Sequence, residues 1–134
     1  MPDPQSRGDP DPTLRLYAIV RGDLVMPPGK LAAQAGHAFL EAYLAAQVLR
    51  PTTAADYLGP SGRTKVTLRA PGLEVLLRLA RDAEEAEIPC ALIIDEGHVL
   101  PPSFDGSPIV TALGLGPARR SEVRHLTDRL ALVR

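Results

Sequence analysis

Leu14-Arg15-Leu16-Tyr17-Ala18-Ile19-Val20, followed after a short loop by Gly29-Lys30-Leu31-Ala32-Ala33-Gln34-Ala35-Gly36-His37-Ala38, is the stretch that decides the fold. The first segment alternates and then turns continuously apolar, which predicts a strand. In the second, Leu31, Ala35, Ala38, Phe39, Ala42 and Ala46 share one side, which predicts a helix running to about Val48 with that side toward a core. Pro27 and Pro28 suit entry into its first turn, and Pro51 stops it. Lys30, Gln34, His37 and Glu41 follow i, i+4, i+7, i+11 and form a separate polar stripe. A cation so close to a helix N-terminus costs roughly a few tenths of a kcal/mol against the helix dipole. A phosphate or carboxylate held there would supply the compensation. A solvated face is the plain alternative for the same stripe.

Working outward, Thr64-Lys65-Val66-Thr67-Leu68-Arg69 alternates as a strand. Thr53 to Leu58 allows a short helical turn before it. Pro71-Gly72 open a second helix in which Leu73, Leu76, Leu77 and Ala80 follow i, i+3, i+4, i+7, and Pro89 closes it. Ala91-Leu92-Ile93-Ile94 is fully apolar, as expected of a central sheet position, and ends at Asp95. Glu96 to Pro108 reads as a loop. Ile109 to Gly114 is a further strand, broken at Gly116-Pro117, and Ala118 to Leu130 a last helix. This order predicts an α/β fold: a single compact domain with a small mixed sheet of about four strands flanked by helices, over residues 14–134. Residues 1–13, rich in Pro and Asp, read as a disordered tail.

Composition narrows the function. The net charge of -1 does not announce a nucleic-acid binder, and with 4% aromatics and no Trp, base stacking is not an obvious binding mode. Cys90 is the lone cysteine, so no disulfide can form within the chain, and its thiol is expected to be buried. No stretch reaches membrane-spanning length, and the N-terminus lacks the apolar core of a signal peptide, so a cytoplasmic protein is expected. No ligand set for a metal is evident, and no cofactor is required.

Four blocks occur in order: Arg21-x-Asp23-Leu24; Gly29-Lys30-x-Ala32-Ala33-Gln34-x-x-His37-Ala38; Asp95-x-Gly97; and Thr111-x-Leu113-Gly114-x-Gly116-Pro117. Together they resemble the archaeal/eukaryotic-type peptidyl-tRNA hydrolase family over about residues 14 to 133. The resemblance implies a small α/β domain, often a homodimer, that takes peptidyl-tRNA as substrate and hydrolyses the ester joining the peptide to the tRNA 3′ end. It implies a site in which Lys30, Asp95, Thr111 and His37 are catalytic, with Gln34, Arg21, Gly97 and His98 toward substrate. An aspartate at the carboxyl end of a strand faces the crevice where α/β proteins work, and beside Lys30 it could deprotonate a water.

The chain departs from the family in Asp95-Glu96-Gly97-His98-Val99. Val99 stands where a threonine is usual, and Glu96 adds a second carboxylate. His98 could take over part of the lost role, and the loop through Pro108 is longer. These changes leave two further readings, a different acyl substrate or a non-catalytic RNA- or protein-binding module. Singly, the residues also have plain roles: Asp95 as a turn cap, His37 and Gln34 as half-buried structural groups, His98 as a loop residue.

Overall fold

The structure, a computed structural model, describes residues 11–134; positions 1–10 of the expected tail lie outside the described residues. Strand β1 (Leu14–Arg21) leads into helix α1 (Pro28–Leu49) and the short α2 (Pro51–Tyr57). Strand β2 (Thr64–Ala70), helix α3 (Leu73–Glu85) and strand β3 (Cys90–Asp95) follow. A two-residue pair, β4 (Val99–Leu100) and β5 (Phe104–Asp105), precedes the long β6 (Ile109–Arg119). Helix α4 (Arg120–Thr127) and β7 (Ala131–Leu132) complete the described chain.

The main sheet has five strands in the order β3-β6-β1-β2-β7. β1 and β2 run parallel and the other pairs antiparallel, so the sheet is mixed, as expected. Alternation along β1 feeds two cores. Ala18 and Val20 pack with Ala35 and Ala38 of α1, Ile93 and Ala112. Tyr17 and Ile19 pack with Leu76 and Leu79 of α3, Val123 and Leu126 of α4, Leu113 and Leu115. Small residues let α1 lie close on the sheet. A Cβ on Gly114 would fall 2.0 Å from the Ala38 carbonyl oxygen and 3.0 Å from the Ala42 Cβ, so only glycine fits there.

Four expectations are corrected. β3 is an edge strand, not a central one: Ile93 is buried, but Leu92 and Ile94 are exposed. An apolar run reports what a strand can bury, not where it lies in the sheet. Secondly, Gly116-Pro117 does not end β6. Arg15 pairs with Ala118 and Tyr17 with Leu115, so Gly116 and Pro117 together oppose Leu16 in a bulge. A bulge tolerates proline, which has no N–H for the ladder, and Gly116 takes φ +96° there. The last helix is correspondingly shorter. Thirdly, Glu96 to Pro108 contains the β4–β5 hairpin. Lastly, β7 adds a short strand beside β2.

Cys90 is half-buried; burial pushes its thiol pKa up, with a smaller push from Glu84. Among the described residues, no helix is long and apolar enough to cross a membrane.

Candidate active site

The site forms where the N-terminus of α1 meets the carboxyl end of β3. Pro28 opens α1 and the Leu31 N–H donates to the Pro27 carbonyl (2.9 Å), which places Lys30 in the first turn. The Lys30 ammonium donates to Asp95 Oδ2 at 2.7 Å. The anion that the helix start called for is thus a carboxylate of this chain. The pair is largely enclosed, with side-chain exposures of 9% for Lys30 and 19% for Asp95.

The same ammonium contacts His98 Nδ1 and lies 4.3 Å from the centre of the Phe104 ring. An ammonium over an aromatic face is attracted by about 0.5–2 kcal/mol, more as water is excluded. Phe104 is buried and His98 exposed, their ring centres 6.3 Å apart. Both belong to the hairpin segment, which is fastened at three points. Leu100 and Val99 pair with Phe104 and Asp105. The Gly97 N–H donates to the Gly106 carbonyl (2.9 Å) with Gly97 at φ +81°, a left-handed conformation that favours glycine. The Val25 N–H donates to Ser103 Oγ at 2.8 Å, tying the hairpin to the segment before α1. The Ser107 hydroxyl and N–H both donate to Asp105, which holds that carboxyl below its ordinary range.

One helical turn beyond Lys30, Gln34 is 3% exposed, so the polar stripe is not simply a solvated face. The wholly buried Thr111 hydroxyl donates to Gln34 Oε1 at 2.5 Å. Gln34, exposed His37 and Glu41 of α1 line a cleft of about 250 Å³ together with Leu92 to Asp95 of β3.

The expected site residues therefore divide. Lys30 touches both Asp95 and His98, and Gln34, His37 and Asp95 share the cleft. Thr111 reaches the cleft only through Gln34. Gly97 serves the hairpin turn. Arg21 is committed elsewhere: its guanidinium chelates Asp23 at 3.1 and 2.7 Å and donates to the Val110 carbonyl at 3.1 Å. That pairing lowers the Asp23 pKa. The sequence reading missed Phe104 and Ser103: the hairpin turns at Pro101-Pro102-Ser103, which lacks the Asn-Gly or Asp-Gly signal of a tight hairpin.

The family model described as "Peptidyl-tRNA hydrolase PTH2" matches residues 14–133. The chain belongs to this family. A peptidyl-tRNA hydrolase of Methanococcus vannielii is 38% identical over 117 residues, covering 86% of this chain and 95% of that protein. One from Methanocaldococcus jannaschii is 31% identical over 121 residues, covering 90% of this chain and all of its own length. The mitochondrial peptidyl-tRNA hydrolase 2 of Bos taurus is 35% identical over 120 residues, covering 88% of this chain and 63% of that protein. The peptidyl-tRNA hydrolase blocks read from the sequence, at Lys30, Asp95 and Thr111, all fall inside the matched span.

Proposed function

We propose that this chain hydrolyses the ester bond of peptidyl-tRNA, releasing peptide and free tRNA, and that residues 14–134 are the unit that does so. The observation that carries the reading is the enclosed Lys30–Asp95 pair, whose Asp95 lines a cleft, in a chain of the peptidyl-tRNA hydrolase PTH2 family. Asp95 Oδ2 is fixed by Lys30, and the remaining carboxylate lone pairs can take a proton from a water. That water's oxygen adds to the ester carbonyl, the tetrahedral intermediate collapses, and the ribose oxygen of the tRNA leaves as a hydroxyl with the proton that Asp95 took from the water. Gln34, held by Thr111, and His37 line the space where the acyl end would lie. Three of the five Arg21 N–H donors are engaged within the chain, which ties Arg21 to Asp23 and Val110 and shapes the Gly22–Leu24 loop.

The test is release of free tRNA from a labelled N-acylaminoacyl-tRNA by wild type and Asp95→Asn. Turnover by wild type, with a drop of about 100-fold or more in the variant, supports the assignment. Equal turnover overturns the role of Asp95, and an inactive but folded wild type overturns the substrate.

We also propose a cytoplasmic homodimer. The support for self-association is apolar surface: Leu40, Leu44 and Val48 follow i, i+4, i+8 along α1 and are exposed, as is Ile94 on the edge strand. Sedimentation of Leu44→Glu/Val48→Glu beside wild type checks this. A wild-type monomer would refute it.

A further inference from the structure

We propose that His98, not Lys30, presents the hydrogen-bond donor to the ester carbonyl oxygen, in its Nε2–H tautomer, and that Lys30 fixes that tautomer. The inference rests on the peptidyl-tRNA reading and assigns the donor that reading leaves open.

The Lys30 ammonium has three N–H groups and no lone pair. It donates to Asp95 Oδ2, it contacts His98 Nδ1, and the electron-rich face of Phe104 lies 4.3 Å away. With its side chain 9% exposed, Lys30 has little left to offer a substrate. A positive charge placed this close to Asp95 acts on the carboxylate instead.

Tautomer follows from the same contact. Because the ammonium can only donate, His98 Nδ1 must accept, and a neutral ring accepting at Nδ1 carries its proton on Nε2. Among the described residues Nε2 has no partner, and His98 is exposed. The Nδ1 and Nε2 directions diverge widely across the ring, so a donor held at Nδ1 turns Nε2–H away from the Lys30 ammonium. The ring cannot drift freely, because the segment that carries it is closed by the Gly97–Gly106 bond and anchored by buried Phe104. A preorganised donor beside the residue that activates water is what a developing oxyanion needs. The group also compensates for Val99, which brings no hydroxyl to this segment.

Two isosteres separate the ring's two nitrogens. In His98→Asn the amide oxygen can replace Nδ1 as acceptor for Lys30, but no donor reaches the ε position. In His98→Gln the amide N–H reaches the ε position. The assay is release of tRNA from N-acylaminoacyl-tRNA at saturating and limiting substrate. The expected pattern is that His98→Asn and His98→Ala lose about 100-fold in kcat with KM unchanged, the usual size for one oxyanion donor, while His98→Gln stays near wild type. Rescue by Asn and not by Gln would overturn the proposal and leave His98 as a prop for Lys30. A change in KM alone would also overturn it, by moving the contact to a part of the substrate away from the reacting carbonyl. A second readout needs no substrate. Long-range 15N–1H correlation of the imidazoles, with His98→Gln used for assignment, should show His98 as the neutral Nε2–H form in wild type. Loss of that preference in Lys30→Met is expected. An Nδ1–H ring in wild type would refute the tautomer argument. Wild type inactive on the ester would sink the peptidyl-tRNA reading and the donor role with it; wild type active with the wrong variant pattern would sink the donor role alone.

Discussion

Asp95 and Lys30 come from elements 65 positions apart, yet each makes the other tolerable: a lysine in the first turn of a helix and a carboxylate enclosed at a strand end. Lys30→Met should therefore reduce turnover without abolishing the fold, and should leave Asp95 with one charged donor fewer, which a thermal scan and the tRNA-release assay measure together. The Thr111–Gln34 bond is wholly buried, so Thr111→Val strands the Gln34 carbonyl oxygen and should cost about 1–3 kcal/mol in denaturant titration, with Thr111→Ser close to wild type. Cys90 gives a pH signature. Its folded-state pKa is raised by burial, so the unfolded chain loses the thiol proton first as pH climbs. Stability should be level below the unfolded thiol value of about 8.5 and fall from there up to the raised folded value. Cys90→Ala should remove that alkaline decline, and an unchanged slope would show that another group sets it. At this scale much was legible in the sequence. The helix start asked for an anion, and Asp95 ended a strand. The contact of Lys30 with His98 and Phe104 was not legible, because it depends on how a loop folds back in space and leaves no spacing in the chain.

Among the elements, those with several turns or several alternations were readable: β1, α1, β2 and α3 stand where periodicity placed them. The exceptions share a cause. β4, β5 and β7 have two residues each, too few to show a period. The persistence of β6 through Gly116-Pro117 depends on a bulge against Leu16, a property of the pair and not of either strand. Whether β3 is central or at an edge depends on what stands beside it. The packing of α1 on β6 yields a firm prediction. The added methyl of Gly114→Ala would fall 2.0 Å from a backbone oxygen, and no side-chain rotation can relieve that. Overpacking of this kind costs about 1–3 kcal/mol, and here α1 must also move. Since α1 carries Lys30 and Gln34, the variant should lose both melting temperature and turnover. A variant with wild-type melting would show that the helix and sheet are less tightly apposed than their contact implies.

The whole molecule has to hold a polyanion with a net charge of -1, so the distribution of cations matters more than their sum. Ion pairs within the chain engage Arg15 with Asp11, Arg21 with Asp23, Lys30 with Asp95 and Arg50 with Glu122. The pairing with Asp11 takes Arg15 out of the first rank of phosphate contacts. Arg78, Arg124 and Arg129 form no ion pair among the described residues and border one groove between α3 and α4, with Asp82 and Asp128 beside them. If the tRNA backbone runs along this groove, each arginine that meets a phosphate releases about 0.7–0.9 of a counterion. Arg124→Ala/Arg129→Ala should then weaken tRNA binding at low salt and make the log–log dependence of affinity on salt shallower by about 1.5. The catalytic rate at saturation should not change, because neither residue lies in the cleft at Asp95. An unchanged salt slope would place the tRNA on another face of the sheet. The exposed Lys65 and Arg69 of β2 would then be the next cations to replace.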